Sequence, residues 1–339
     1  MVAQDPGTHA QQRHSRGAVT VIGDAVMDHI YRTDTMPSAG SEARGTFDVQ
    51  VGGKGLNRAV AAARLGLSVR LVAVVGDDDN GRRIIAHLRR ENVDTGLVEV
   101  VAGATPVAVV MVDRNGAWAF IGRVVEGAQL HAQLHVEDLR TERVAAAIAS
   151  SDALLLTFEL PTKVINEALS MVRAMSKRPR LLVHPAPPVP PAPAAETDRD
   201  LDARFDPIDY VNGSSWELGE LARGGDAVGE QSGTSVASRV LARGAHCVCE
   251  VEHLACRVRS DTLNLDIPPG PQEVPEESPA ASAAFDAALA YRLVTTGQAA
   301  SREDFEWASA AMAATRMTSP LADGMPTIRE IDQIVAPTR

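Results

Sequence analysis

The sequence predicts an α/β protein built on a doubly wound, mainly parallel sheet. Short runs rich in Val, Leu and Ile recur along the 339 residues, and helical patterns lie between them. The runs are apolar almost throughout and do not alternate with polar residues. Because such strands are buried on both faces, they indicate a sheet that is covered by helices on both sides.

The predicted elements follow one another in a regular order. Strands are predicted over residues 18–22, 69–75, 153–158, 181–183, 210–211 and 247–251. Helices are predicted over residues 55–65, 81–90, 162–175, 216–223 and 235–243. Two regions, about 30–51 and 105–123, instead alternate around turn sequences, so we expect them to form a small antiparallel lid outside the main sheet. We expect one domain over residues 18–339 after a disordered tail over residues 1–17.

The composition argues against several classes of protein. The net charge is −11, from 33 basic and 44 acidic residues, whereas nucleic-acid binding requires a basic surface. No apolar run reaches the roughly 18 residues of a membrane span, and the polar N-terminus has no signal core. We therefore expect a cytoplasmic protein that binds neither nucleic acid nor membranes.

One group of residues contains side chains that can ligate metals: Cys247, Cys249, Cys256, His246 and His253. No paired C-x-x-C spacing supports a metal site. Alternation within a strand explains Cys247 and Cys249 equally well, as small buried residues. We predict no metal site.

The most informative stretch is residues 51–66, VGGKGLNRAVAAARLG. Two glycines precede an Ala-rich helix, and Gly66 has the position of a C-terminal cap. A glycine turn at a helix start lets backbone N–H groups approach an anion or a polyhydroxyl ligand. The same spacing also suits a tight turn without a ligand. It is not a Walker A loop, because GxxxxGK[ST] is absent.

This stretch resembles the first signature of the ribokinase-like, phosphofructokinase-B-type carbohydrate kinase family. The similarity extends from about residue 18 to residue 335, and further motifs of the family recur in order. They are GDAVMD at 23–28, VGDD at 75–78, FELP at 158–161 and HPAP at 184–187. The resemblance implies a ribokinase-like fold with a β lid, ATP and Mg²⁺ as cofactors of phosphoryl transfer to a sugar hydroxyl, and a homodimer formed through the lid.

The resemblance also implies a sugar pocket between the carboxyl edge of the sheet and the lid. The positions that hold sugar hydroxyls in relatives are Asp28, Gly52, Gly53, Lys54, Asn57 and Glu159. Carboxylates and amides make directional hydrogen bonds with vicinal hydroxyls, as a sugar or nucleoside ligand requires. Without the family resemblance, Asp28 could equally be a turn residue, and Glu159 could equally be an acidic residue at the start of a helix.

The family has a second signature, which contains the general base and the anion hole of phosphoryl transfer. This chain departs from that signature. Its general base is replaced by Ala283, and a methyl group cannot accept a proton. The Gly-Ala-Gly of the anion hole reads Ala280, Ala281 and Ser282, which lets the backbone approach a phosphoryl group less closely.

Two further elements of the nucleotide half are also changed. Ser214 replaces the Asn that, together with Glu217, organises magnesium and phosphate in relatives. Glu250 and Glu252 stand where relatives have a hydroxyl and a glycine. Two carboxylates at these positions would repel a polyphosphate.

The sequence leaves open whether another acid replaces the missing base. The candidates are Glu276, Glu277 and Asp286, although Asp286 lies about 4.5 Å deeper along the helix and is turned by about 60°.

Three interpretations remain: a polyol-binding pseudokinase with lost or weakened phosphoryl transfer, an active ATP-dependent sugar kinase with an atypical base, and a non-catalytic interaction protein with a vacant pocket. The sequence favours the first.

Overall fold

The computed structural model of the chain describes residues 17–115, 118–124, 132–186, 201, 204–223, 235–269, 279–316 and 324–336. The predicted tail lies outside these residues except for Gly17, whose carbonyl already accepts a hydrogen bond from Ser68 N (3.0 Å). The candidate bases Glu276 and Glu277 also lie outside the described residues.

The described strands form two sheets. The main sheet consists of β1 (Ala18–Ile22), β4 (Ser68–Gly76), β5 (Val98–Val101), β8 (Ala153–Thr157), β9 (Arg180–His184), β10 (Tyr210–Gly213), β11 (Cys247–Glu252), β12 (Ala255–Ser260) and β13 (Asn264–Ile267). Its order is β13-β12-β11-β10-β9-β8-β1-β4-β5. The strands from β11 to β5 are parallel, and β12 and β13 extend the sheet in antiparallel pairing.

Helices cover both faces of this sheet. They are α1 (Lys54–Arg64), α2 (Asp79–Arg90), α3 (Val136–Leu139), α4 (Glu142–Ala149), α5 (Thr162–Ala174), α6 (Ser215–Arg223), α7 (Val236–Ala242), α8 (Pro279–Thr296), α9 (Arg302–Ala314) and α10 (Ile328–Val335). Alternate residues of β1 face opposite sides: Val21 packs in the core layer with α1, α8 and α9, whereas Ile22 packs in the layer with α4 and α5. The predicted doubly wound α/β fold is confirmed.

The predicted lid is a separate four-stranded sheet. It consists of β2 (Val26–Thr33), β3 (Gly45–Gly52), β6 (Val107–Asp113) and β7 (Trp118–Val124), in the order β3-β2-β6-β7. The pairs β2–β3 and β6–β7 are antiparallel hairpins, and parallel pairing of β2 with β6 joins them. Strand β2 begins earlier than predicted because its first residues, such as Met27, are fully buried.

Strands β12 and β13 were not predicted. In β12 the buried residues Cys256 and Val258 alternate with arginines, and this pattern lacks the continuous apolar run of the inner strands. Cys247, Cys249 and Cys256 are buried in the core, and burial raises the pKa of the Cys249 thiol. Within the described ranges, no group of three or more His, Cys, Asp or Glu residues could hold a metal ion.

The topology brings the ends of several strands to one edge of the main sheet. Strands β1, β8, β9, β10 and β11 all end there, and α1 begins there directly after β3. Crevices at the carboxyl ends of parallel strands are where open α/β sheets bind ligands. None of the helices that the structure describes is long and apolar enough to cross a membrane.

Candidate functional site

Asp24, which follows β1, holds the start of α1. Its Oδ1 accepts hydrogen bonds from the backbone N–H groups of Lys54 (2.8 Å) and Gly55 (3.5 Å), and its carbonyl accepts one from Leu56 (3.0 Å). Gly53 precedes the helix with φ 108°, a value that favours glycine. A Cβ atom at Gly53 would lie 2.7 Å from the Asp24 carbonyl oxygen. The glycine turn is therefore required for this close approach.

Asp28 lies on β2, opposite Gln50 of β3. Its carboxylate packs against Gly52 so closely that a Cβ atom there would come within 1.9 Å of Oδ2. Burial, followed by the charge of Asp24, raises the pKa of Asp28 to about 7. The structure thus places Asp28 and Gly52 side by side, as expected for one pocket.

Glu159, just beyond β8, faces Asp24. Its Oε1 accepts hydrogen bonds from Thr157 Oγ1 (2.6 Å) and Asp24 N (3.1 Å). Its Oε2 is buried and has no hydrogen-bond partner among the residues that the structure describes. Burial, followed by the charge of Asp24, raises the pKa of Glu159 to about 8.

Asn57 and Lys54 complete the predicted pocket residues on the first turn of α1. Asn57 is buried and donates its backbone N–H to Gly53 O (2.9 Å), and its side-chain Oδ1 has no partner within the described part of the chain. The Lys54 ammonium is one-third exposed and lies 3.2 Å from Glu217 Oε1. All six predicted pocket residues therefore lie around the start of α1.

His184, at the end of β9, lies beside this lysine. Its Nδ1 is 3.0 Å from the carbonyl oxygen of Asn212, and because a carbonyl only accepts, Nδ1 carries the proton. The other nitrogen, Nε2, is 3.4 Å from Lys54 Nζ and 3.1 Å from Glu217 Oε1. Burial lowers the pKa of His184. The Nε2 atom of a neutral His184 can accept a hydrogen bond from Lys54, whereas that of a protonated His184 can donate one to Glu217.

A buried ion pair joins α1 to α8 behind this cluster. Arg58 Nε donates to Asp286 Oδ2 (2.7 Å), and Nη2 donates to Ser282 Oγ (2.9 Å). The other carboxylate oxygen of Asp286 accepts a hydrogen bond from Asn212 Nδ2 (2.9 Å). Ser282, one of the predicted anion-hole positions, therefore accepts a hydrogen bond from an arginine.

The residues predicted to replace the family's anion hole and general base lie on the same helix. Helix α8 begins at Pro279, in agreement with the preference of proline for a first helical position. Ala280, Ala281 and Ala283 are buried, and Ala283 is fully so. No side chain at these three positions can exchange a proton.

Glu217 does not fit a magnesium-organising role. Its Oε1 contacts Lys54 and His184, and its Oε2 accepts hydrogen bonds from the backbone N–H (3.0 Å) and Oγ (3.1 Å) of Ser214. Although burial acts in the opposite direction, the contacts with His184, Lys54 and Ser214 together hold the pKa of Glu217 well below its usual range. Both carboxylate oxygens are committed to protein partners, and a metal ion would have to displace them.

Glu250 and Glu252 lie at the end of β11, before a turn in which His253 and Leu254 both have positive φ. Ser215 Oγ lies 2.6 Å from Glu250 Oε1 and 2.8 Å from Glu252 Oε2, although one hydroxyl has a single proton to donate. Arg257 pairs with Glu250 at 2.7 Å. The expected repulsion of a polyphosphate is thus partly compensated at Glu250.

Sequence reasoning did not single out several residues of this site. Asp24, Arg58 and Asn212 were passed over, although Asp24 belongs to the motif at 23–28 and Arg58 to the motif at 51–66. His184 was read only as part of its motif. The signal for Arg58 is its place four residues after Lys54, on the same face of α1.

Comparison with known proteins gives a consistent family assignment. A model of the pfkB family carbohydrate kinases matches residues 17–224. The chain is 27% identical over 276 residues to a ribokinase of Mus musculus, which covers 81% of this chain and 79% of that protein. Ribokinase of Giardia lamblia superposes with a TM-score of 0.77 at 17% identity, covering 96% of this chain and 100% of that one.

A ribokinase of Arabidopsis thaliana solved with ribose and ATP superposes with a TM-score of 0.70 at 20% identity. It covers 94% of this chain and 98% of that one. These superpositions establish the shared fold, and the family model spans more than half of the chain. The chain therefore belongs to the pfkB family of carbohydrate kinases.

Proposed function

We propose that this protein binds a sugar or nucleoside-like polyol and has lost or weakened phosphoryl transfer. The pocket would be formed by Asp28, Gly52, Gly53, Lys54, Asn57 and Glu159. The observation that carries the proposal is the fully buried Ala283 at the position of the general base. A positioned general base contributes about 10²–10⁴ in rate, and no catalytic group occupies its position here.

The surroundings of Ala283 support the same conclusion. Ser282 and Asp286 are both bonded to Arg58, and the second oxygen of Asp286 is bonded to Asn212. Asp286 would have to break a buried ion pair to take a proton from a sugar. Since the Glu217 oxygens are also committed, the residues present do not fit the Mg²⁺ that serves ATP in phosphoryl transfer.

The alternative, an active ATP-dependent kinase with an atypical base, has one observation in its favour. Burial lowers the pKa of His184, which favours its neutral form, and its Nε2 faces both the Lys54 ammonium and Glu217 Oε1. A sugar hydroxyl would have to replace the lysine before this nitrogen could accept its proton. The alternative therefore requires a rearrangement at Lys54.

A homodimer formed through the lid is part of the proposal. The outward face of the small sheet carries Tyr31 (40% exposed), Phe47 (53%) and Ile121 (53%). The rings of Tyr31 and Phe47 are 4.7 Å apart. The opposite face is buried at Ile30 and Ala108. An exposed apolar face on a projecting sheet is suited to pairing with a second copy of the chain.

A ligand screen tests the binding proposal. Calorimetry or thermal shift with sugars, nucleosides, ATP and ADP, each with and without Mg²⁺, should show stabilisation by polyols alone. A ligand at 100 times its dissociation constant stabilises the fold by about 2.7 kcal/mol. Asp28→Ala should abolish the shift while barely changing the melting temperature of the free protein.

Two results would favour the alternatives. Mutual enhancement of polyol and ATP binding, with turnover that His184→Gln abolishes, would support the active kinase. Failure of every polyol to stabilise the wild-type protein would support an interaction protein with a vacant pocket.

A further inference from the structure

Asp24 connects three elements that surround the proposed pocket. It directly follows the glycine after β1, and its Oδ1 accepts hydrogen bonds from the first two backbone N–H groups of α1, those of Lys54 (2.8 Å) and Gly55 (3.5 Å). Its own backbone N–H donates to Glu159 Oε1 (3.1 Å), just beyond β8. One residue, only 9% exposed, therefore joins the ends of β1 and β8 to the start of α1.

Two glycines let these elements approach one another closely. A Cβ atom at Gly23 would lie 2.4 Å from Thr157 Oγ1 and 2.7 Å from Gly55 Cα. A Cβ atom at Gly55 would lie 2.6 Å from the carbonyl carbon of Gly23. The backbone before Asp24 thus contacts the first turn of α1 directly, so both backbone packing and hydrogen bonds determine where the Asp24 carboxylate lies.

Asp24 also acts on two acidic residues of the pocket through its charge. The pKa values of Asp28 on β2 and of Glu159 are raised to about 7 and about 8, with burial as the largest cause and the charge of Asp24 as the second. Lys54, at the start of α1, acts on Glu159 in the opposite direction. Because a like charge disfavours the ionised form, a neutral side chain in place of Asp24 should lower both pKa values.

The other ionisable groups nearby contact the lysine. Glu217 of α6 and His184 of β9 lie 3.2 Å and 3.4 Å from the Lys54 ammonium. They reach Asp24 only through this lysine, whose backbone N–H is bonded to the Asp24 carboxylate.

We propose that Asp24 is a positioning residue of the polyol pocket: its hydrogen bonds hold the start of α1 against Glu159 and so fix the spacing of the residues that bind hydroxyls. This inference rests on the proposed function and adds to it a residue that acts through Lys54 and Glu159. A carboxylate suits this role because backbone N–H groups at a helix start bind a charged acceptor more strongly than a neutral one.

Two substitutions separate the hydrogen bonds of Asp24 from its charge. Asp24→Asn keeps an oxygen that can accept the N–H groups of α1 but removes the charge, whereas Asp24→Ala removes both. Titration calorimetry with D-ribose, D-fructose, myo-inositol and adenosine measures their affinities. Asp24→Ala should weaken binding by about tenfold or more. Asp24→Asn should stay within about threefold of the wild type at pH 5, where the pocket acids are protonated in both proteins.

Asp304→Ala is the matched control. Asp304 is also a buried carboxylate at a helix start, where it accepts the backbone N–H of Ser301 (2.8 Å) before α9. Its loss should lower the melting temperature and leave polyol affinity unchanged. Asp24→Ser is a second test variant, because its shorter side chain keeps a hydroxyl acceptor. It should weaken binding even if Asp24→Ala does not fold.

A carboxyl titration supplies a measurement that a merely structural role would not change. In protein labelled with carbon-13 at the Asp and Glu side-chain carboxyl groups, the variants Asp28→Asn and Glu159→Gln assign the two signals in NMR spectra. Both groups should titrate at lower pH in Asp24→Asn than in the wild type, by about one unit or more.

The outcomes separate this inference from the proposed function. If the wild type binds a polyol and neither Asp24→Ala nor Asp24→Ser weakens binding, the inference is overturned and the proposed function stands. The same holds if Asp24→Asn leaves both titrations unchanged, or if Asp304→Ala weakens binding as much as Asp24→Ala. If the wild type binds no member of the panel, both are overturned.

Discussion

Arg58 and Asp286 form an ion pair of 2.7 Å between α1 and α8, and their side chains are only 2% and 3% exposed. Ser282 and Asn212 complete their hydrogen bonds. Breaking a buried pair on one side leaves an uncompensated charge and costs about 3–5 kcal/mol. The pair includes Asp286 of α8, the helix that contains the predicted anion-hole and base positions, so it ties the stability of the fold to this helix.

Asp286→Asn should lower the free energy of unfolding by about 3–5 kcal/mol, measured by urea denaturation. Replacing both partners, Arg58→Met with Asp286→Leu, should recover most of this loss because no charge then stays buried. Arg302→Ala is the matched control, since its pair with Glu306 is about half exposed and contributes about 0–1 kcal/mol. A similarly small effect of Asp286→Asn would show that the pair does not hold α1 and α8 together.

Stability should depend on pH through Glu159. Its pKa is raised from the ordinary 4.5 to about 8, so the folded state binds more protons than the unfolded state between these values. The free energy of unfolding therefore falls as pH rises through this window. Glu159→Gln keeps the acceptor for Thr157 and Asp24 but removes the ionisation, so it should reduce this loss and leave the part due to Asp28, whose pKa is also raised. Denaturation of the wild type and of Glu159→Gln at pH 5, 7 and 9 measures the change in the free energy of unfolding with pH. An equal change in both proteins would contradict the raised pKa of Glu159.

Gly52 should be essential for the pocket and not for the fold. A methyl group there would lie 1.9 Å from Asp28 Oδ2 and 2.4 Å from its Cγ, so Gly52→Ala must displace the carboxylate. We expect polyol affinity to fall by about tenfold or more, which corresponds to about 1.4 kcal/mol. Gly219→Ala is the control, because nothing lies within 4 Å of its Cβ position in α6. Unchanged affinity of Gly52→Ala would mean that Asp28 does not touch the ligand.

Turnover of common sugars should be undetectable or far below about 1 s⁻¹, the lower range for kinases. Ala283→Asp with Ala280→Gly and Ser282→Gly restores the base and the anion-hole glycines on an existing helix. We expect little activity from this triple variant until Glu250→Gln and Glu252→Gln reduce the repulsion of ATP. A coupled assay of ADP release measures the activity of the triple variant with and without Glu250→Gln and Glu252→Gln. Full activity of the triple variant alone would show that the two acids do not hinder the nucleotide.

The lid should mediate dimerisation. Phe47→Lys places a charge on the exposed apolar face, and burying it in an interface without a partner is costly, so the variant should sediment as a monomer. Val100→Lys is the matched control, because Val100 is 52% exposed but lies on β5, outside the lid. Sedimentation velocity across a concentration series shows whether Phe47→Lys is a monomer and whether Val100→Lys remains a dimer. A wild-type protein that stays monomeric at every concentration would remove the lid interface.

The inner strands of the main sheet were predictable because their two buried faces leave a continuous apolar run. The grouping of Asp28, Lys54 and Glu159 near the start of α1 was predictable because these residues lie in motifs that recur in a fixed order. The hydrogen-bond network around Arg58 was not predictable from the sequence. Asp286 follows Arg58 by 228 residues, and an arginine on an Ala-rich helix ordinarily lies in solvent. Only the packing of α1 on α8 shows that this guanidinium is buried.

Asp24 places a carboxylate at the N-terminus of α1, beside the proposed pocket. The first three backbone N–H groups of α1 all donate to Asp24, two to its carboxylate and one to its carbonyl. The positive end of the helix dipole, which could attract an anion, is thus already occupied by an acid of the protein. A phosphorylated ligand would meet a carboxylate at this end, so any phosphate that it carries must point away from the start of α1.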